Sequence, residues 1–157
     1  MNIYIVSSPG GHLNETLSMV EAFEGCDVYL ITLDFPNMKG LSLESVKKIC
    51  KLKLFFNYSV KFGLPITLLV GTFSMLRMFI AHRPHMIFST GSEVALPAFV
   101  MGKFLFGAKV AYVECFTRIR TLSLTAKLVY KFADLFLVQW EELAGMHEKA
   151  QYRGRLL

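Results

Sequence analysis

Apolar residues along the chain fall in short runs separated by longer, helix-patterned stretches. The runs "NIYIV" (2–6), "DVYLITL" (27–33), "HMIFST" (85–90), "KVAYVE" (109–114) and "DLFLVQ" (134–139) are bounded by turn residues and predict strands. Between them, helices are predicted near 13–24, 62–82, 94–106 and 122–133. The strand runs are apolar almost throughout, as burial on both faces of a sheet demands. Strand and helix in repeated alternation predict an α/β domain spanning 1–157, with a Rossmann-like parallel sheet and helices on both faces. The stretch 34–61 is the least regular; within it "VKKICKLKLFF" can supply a further strand with interspersed lysines.

Sheets of this kind bind ligands beyond the carboxyl ends of their strands. Three segments that follow strands and precede helices carry unusual chemistry: "SSPGGHLNE", "STGSEVALP" and "ECFTRIRTLS". In the first, Gly10 and Gly11 let backbone approach a ligand, and the helix that follows points free N–H groups at it, which favours phosphate or diphosphate. His12 can donate to phosphate or act as a general base. A plain strand-to-helix turn with an exposed His12 is the alternative, although two glycines and a histidine exceed what a turn requires. Asn14 and Glu15 are expected to set the helix start, where the dipole favours a carboxylate, and Asn14 joins the candidate acceptor-binding residues.

The second segment offers Gly91, Ser92 and Glu93 before Pro97, and Ser92 suits either a ligand or the cap of the next helix. Glu93 fits a sugar hydroxyl better than a phosphate. In the third, Glu114 at a strand end can orient a hydroxyl or take its proton, and Arg118 and Arg120 can pair with diphosphate or headgroups. The alternative leaves both arginines in solvent with Glu114 paired to one of them. In "HRPH" (82–85), Pro84 breaks the helical spacing that a metal would need, so His82 and His85 are expected to be satisfied without one.

Composition adds two constraints. With 54% hydrophobic residues, 18% charged and a net charge of +5, the chain has apolar surface to cover and suits an anionic membrane face or a phosphate-bearing substrate. The 14 Phe and 6 Tyr mostly sit inside apolar runs, which favours core packing over stacking on nucleic acid. Cys26, Cys50 and Cys115 form no C-x-x-C pair, so neither a disulfide framework nor a zinc site is expected, and no metal or cofactor is implied. The run 62–81, "FGLPITLLVGTFSMLRMFIA", nearly reaches the length of a membrane span. Yet it leads into a strand of the same sheet as residues 2–6, so crossing would divide the sheet. It is read instead as lying on a membrane or under a partner; the ordinary alternative, a helix buried against the sheet, accounts for only part of its apolar face. Leu64, Leu68, Leu69, Phe73, Arg77 and Phe79 are its candidate membrane contacts, with Lys61 and Arg83 near headgroups.

The order of these loops, with "AYVECFTRIRTLSLTAKLVYKFADLFLVQWEEL" and the terminal "YRG", resembles the membrane-associated, acceptor-side subunits of bipartite glycosyltransferases. That family anchors the UDP-N-acetylglucosamine transferase acting on dolichyl-diphosphate and has bacterial members in capsule and exopolysaccharide synthesis. The resemblance covers nearly the whole chain. It implies the N-terminal half of a GT-B enzyme, holding a polyprenyl-diphosphate-linked sugar while a separate subunit binds the UDP-sugar. The peptidoglycan enzyme that transfers N-acetylglucosamine to an undecaprenyl-diphosphate-linked precursor is similar. By its pattern Gly10, Gly11 and His12 face the acceptor diphosphate, with Gly91 and Pro97 in the second loop and Glu114 as the later carboxylate. Glu93 departs from the small residues usual there. No N-terminal anchor precedes the first strand, which suggests a bacterial-type member at the cytoplasmic face of the plasma membrane, peripheral or monotopic. The expected reaction is an inverting hexosyl transfer with His12 or Glu114 as base. The alternatives are a non-catalytic recruiting subunit and a nucleotide-cofactor protein; the latter lacks G-x-G-x-x-G, although Asp34 falls at a plausible ribose position.

Overall fold

The computed structural model describes residues 1–34, 46–52 and 63–156, without the side chains of Cys50 and 63–69. Within them seven strands form one sheet: β1 (Asn2–Ser7), β2 (Asp27–Leu33), β3 (Lys48–Leu52), β4 (Met86–Ser89), β5 (Lys109–Val113), β6 (Leu135–Val138) and β7 (Ala150–Tyr152). Their order is β3-β2-β1-β4-β5-β6-β7, and every neighbouring pair is parallel. The helices are α1 (Gly11–Leu17), α2 (Gly63–Ala81), α3 (Ala95–Phe106), α4 (Leu124–Val129) and α5 (Glu141–Gly145).

Period-2 alternation sorts the strand side chains into two cores. Tyr4, Val6, Tyr29, Ile31, Ile87, Tyr112 and Phe136 pack with Met75, Phe79, Phe99 and Ala126 of α2, α3 and α4 on one face. Ile3, Ile5, Val28, Leu30, Phe88 and Val113 pack with Leu13 of α1 and Val20 on the other. The parallel sheet with helices on both faces is as expected, and β3 lies inside the least regular stretch of sequence.

Two predicted helices are shorter than expected. The helix of 13–24 ends at Leu17, where the Ser18 hydroxyl donates to the Glu15 carbonyl and Met19 N–H to the Thr16 carbonyl; the chain tightens into a 3-10 turn at Val20–Phe23. The helix of 122–133 runs only over Leu124–Val129, started by the Ser123 hydroxyl accepting from Ala126 N–H. Beyond it, Phe132 and Ala133 both donate to the Val129 carbonyl and swing Asp134 toward β6. The short α5 and β7 were not foreseen, since neither contains an apolar run.

Among the described residues no helix is long and apolar enough to cross a membrane. On α2, Met75, Met78 and Phe79 are buried against the sheet, whereas Val70, Phe73, Arg77 and Ile80 are exposed. These four recur at helical spacing and share one outward face. Phe79 is therefore not a membrane contact: it is fully buried, its ring edge-on to Tyr4 at 4.8 Å. Phe73 and Arg77 do face outward, while the side chains of Leu64, Leu68 and Leu69, and Lys61 altogether, lie outside the described residues. Arg83 is also committed elsewhere, donating from Nε and Nη2 to the Phe106 carbonyl at the end of α3. His85 Nδ1 accepts from Asn2 N–H at 3.0 Å, tying the start of β4 to that of β1.

Candidate functional site

Strand order reverses between β1 and β4, which is where open parallel sheets form a crevice at their carboxyl rim. The loops after β1, β4 and β5 meet there. Hydroxyls buried in the rim lock the first two together: Thr90 Oγ1 donates to the His12 carbonyl at 2.9 Å and lies 2.8 Å from Thr16 Oγ1. The Ser89 hydroxyl accepts from Gly91 N–H, and the Ser92 hydroxyl accepts from Val94 N–H just before α3. Gly91 has φ +100°, and a Cβ there would stand 3.2 Å from Tyr112 Oη and 3.4 Å from His12 Cε1. Only glycine leaves that space open for the imidazole.

The third loop is held from beneath. Glu114 is fully buried; one carboxylate oxygen accepts from Cys115 N–H at 2.9 Å and the other from Ser123 N–H at 2.8 Å. The Tyr112 hydroxyl donates to the first oxygen at 3.4 Å and lies 3.2 Å from Ser123 Oγ. Burial, with the Glu114 charge behind it, pushes the Tyr112 hydroxyl far above the usual phenol range and keeps it a proton donor. Gln139, also buried, donates to the Glu114 carbonyl and accepts from Leu156 N–H. Trp140 Nε1 donates to the Phe116 carbonyl at 2.7 Å, and its indole lies 5.1 Å from the Phe116 ring and 4.1 Å from the Arg155 guanidinium. Neither arginine pairs with Glu114, contrary to the alternative expectation; Arg118 and Arg120 are exposed, and the carboxylate is taken by backbone N–H groups.

Together the loops enclose a cleft of about 200 Å³ lined by His12, Gly91, Ser92, Glu93, Glu114 and Arg118, with Cys115, Thr117, Ser123 and Thr125. Six of the expected site residues thus converge. Gly10, the N-cap of α1 with φ +103°, and Gly11, which opens the helix next to His12, are both exposed. Asn14 is exposed one turn along α1 and is not among the lining residues. Its side chain does not cap α1, which Gly10 begins without a side-chain cap. Glu15 does not serve the helix start either. It is 4% exposed, and its Oε1 accepts from Phe116 N–H and the Cys115 thiol, tying α1 to the third loop. Thr16, Thr90, Tyr112 and Gln139 were missed as well. Each lies inside an apolar or helical run, where the only signal was a polar group at a position due for burial. A larger hollow, about 490 Å³ beside Val20, Phe23 and Cys26, lies at the amino rim, away from these groups.

The fold is shared with solved structures. A UDP-GlcNAc 2-epimerase from Methanocaldococcus jannaschii superposes with a TM-score of 0.73 at 13% identity, over 99% of this chain and 46% of that one. MurG from Acinetobacter baumannii superposes with a TM-score of 0.68 at 18% identity, over 90% and 42%. The likeness is one of architecture, a parallel α/β sheet that spans less than half of either of those chains. In sequence, the UDP-N-acetylglucosamine transferase subunit ALG14 of Yarrowia lipolytica is 27% identical over 99% of this chain and 67% of its own length. The human subunit of that name is 24% identical over 100% and 83%. The Schizosaccharomyces pombe subunit is 48% identical over a shorter segment, 29% of this chain and 22% of the relative. The family model described as "Oligosaccharide biosynthesis protein Alg14 like" matches residues 3–156, and the chain belongs to that family.

Proposed function

We propose that this chain is the acceptor-side subunit of a two-component UDP-N-acetylglucosamine transferase. It holds a sugar on a polyprenyl diphosphate at a membrane and recruits a partner that binds the UDP-sugar. The observation that carries this reading is the convergence of three loops from β1, β4 and β5 on one cleft at the switch point. At about 200 Å³ that cleft is smaller than a typical small-molecule pocket, so it suits one end of a substrate with the remainder supplied by a second polypeptide. Its membership of the Alg14-like family, whose curated relatives are named as transferase subunits, supports the same division of labour.

The diphosphate lies over the exposed Gly10–Gly11 backbone with Arg118 as its counter-charge, and the acceptor sugar points toward Ser92 and Glu93. His12 takes the proton of the attacking hydroxyl as that oxygen bonds to the anomeric carbon of the UDP-sugar; UDP leaves with the electron pair and configuration inverts. Of the two candidate bases His12 is favoured. It is half-buried and lines the cleft, whereas both oxygens of Glu114 already accept backbone N–H groups. Glu114 instead fixes the shape of the third loop. The outward stripe Val70, Phe73 and Ile80 around Arg77, with exposed Phe104 and Leu105 on α3, forms a monotopic contact with the cytoplasmic face of a bacterial-type plasma membrane.

The test is transfer by the reconstituted pair with His12→Ala. Loss of turnover by about 10²-fold or more, with acceptor binding retained, is expected of a general base. Unchanged turnover would assign the chemistry to the partner and leave this chain a recruiting subunit.

A further inference from the structure

One ligating atom from each of His12, Glu15 and Cys115 lies within 4.8 Å of the other two. His12 and Glu15 stand three residues apart on α1 and share a helix face, while Cys115 follows β5. Two atoms here, His12 Nδ1 and Glu15 Oε2, are buried and have no hydrogen-bond partner. An orphaned acceptor on a carboxylate only 4% exposed is costly, because its desolvation is not repaid by a hydrogen bond. Hydrogen bonds inside the cluster do not relieve it, since Phe116 N–H and the Cys115 thiol both go to Oε1.

We propose that His12, Glu15 and Cys115 bind a divalent cation of the zinc class, with a further coordination position open to the cleft. An imidazole nitrogen, a carboxylate oxygen and a thiolate make a borderline-soft donor set, which suits Zn²⁺ and not the oxygen-seeking Mg²⁺ or Ca²⁺. Zinc bonds of about 2.0–2.3 Å place ligand atoms roughly 3.3–3.8 Å apart, so the cluster closes by about an ångström through side-chain rotation. On binding, the Cys115 thiol gives its proton to solvent and its sulfur pair to the ion, with no change of oxidation state. Outer contacts that would hold the ligands are in place: Phe116 N–H on Glu15 and the Thr90 hydroxyl on the His12 carbonyl. An ion on one imidazole nitrogen leaves the other protonated, so a loaded site removes the base. That consequence rests on the proposed role of His12; the binding itself does not.

Titration of the reduced full-length chain with Co²⁺, followed by absorption spectroscopy, tests the site. The expected result is one equivalent bound with a thiolate-to-cobalt charge-transfer band, displaced by Zn²⁺ and not by Mg²⁺. Cys115→Ser is expected to abolish the band with an unchanged circular-dichroism spectrum, and Glu15→Gln to weaken binding at least about tenfold. Cys26→Ser, remote at the amino rim, is expected to leave the band intact. Absence of a stoichiometric band, its survival in Cys115→Ser or its loss in Cys26→Ser would overturn the site, whatever the enzyme does. In the reconstituted pair, Zn²⁺ is expected to suppress transfer reversibly. Transfer by a Zn²⁺-loaded subunit would overturn His12 as base and leave the binding result standing.

Discussion

Gly91 and Gly10 provide a matched pair for measuring how tightly the cleft is built. Their φ angles are +100° and +103°, a range L side chains rarely adopt, so alanine at either strains the backbone, on the order of 1–3 kcal/mol. Both substitutions also lower the entropy of the unfolded chain by similar amounts, a gain of about 0.4–1 kcal/mol that cancels in the comparison. The surroundings differ. A Cβ at Gly10 meets nothing within 4 Å, whereas at Gly91 it lies 3.2 Å from Tyr112 Oη, 3.4 Å from His12 Cε1 and 3.6 Å from His12 Nδ1. Tyr112 cannot retreat freely, being fully buried and bonded toward Glu114 and Ser123. The imidazole must move, or the second loop must lift.

Crowding of this degree costs about 1–2 kcal/mol, the lower part of the range for overpacked sites. Gly91→Ala is therefore expected to be less stable than Gly10→Ala by about 1–2 kcal/mol in urea unfolding at neutral pH. For a chain of this size that is a melting-temperature gap of roughly 2–8 °C. Equal m-values in the two variants would show that the comparison reads the folded state. If the two variants unfold within about 0.5 kcal/mol of each other, the reasoning fails: His12 and Tyr112 would not be wedged against Gly91.

The outward and inward faces of α2 are separable. Phe73→Ser is expected to fold normally and lose co-sedimentation with anionic vesicles, whereas Phe79→Ser, at a fully buried position, is expected to lose several degrees of melting temperature. Gln139→Leu strands the Glu114 carbonyl and Leu156 N–H, and calorimetry should show a loss of about 2–3 kcal/mol. Asp134 is pushed up by partial burial, yet bonds from Lys103, Val110 N–H and Lys109 outweigh that and hold it down at about 2. Its folded pKa lies below its unfolded one, so its contribution is complete above about pH 4 and fades as pH falls toward 2. Asp134→Asn should cost about 1–2 kcal/mol at pH 7 after allowance for partial exposure, and unfolding curves of the two proteins should converge near pH 2.

The sheet was readable because each central strand is buried on both faces and so written as an unbroken apolar run. β7, with only Ala150 buried, and the five-residue α5 carry too few such positions to register. The three loops were readable for a different reason: Gly10, Gly11 and Gly91 before helices, and Glu114 at a strand end, break the local pattern. What stayed hidden are the polar residues that hold those loops in place. Thr16 and Thr90 lie 74 positions apart, and Glu15 and Phe116 lie 101 apart, so their meeting depends on the fold as a whole. The same limit misled the reading of α2. Its sequence is apolar all round, and only the packing of β3 and β1 beneath it decides that Phe79 faces in and Phe73 out.

Where the chain tolerates unmet hydrogen-bonding capacity is itself informative. Native structures pair nearly all buried polar atoms, and among the described residues three buried side-chain atoms lack partners: His12 Nδ1, Glu15 Oε2 and Thr32 Oγ1. Thr32 stands opposite Ser7 in the β1–β2 register, one residue from the end of β2, so all three lie at the carboxyl rim. Among the described residues the other buried side-chain polar atoms have partners, including those of Gln139 and Glu114, each fully or almost fully buried. A sequence selected only for stability would have no reason to leave its few costly exceptions along one edge. Local frustration gathered at the strand ends, beside a cleft and under two glycines of positive φ, is what a surface kept ready for another molecule requires.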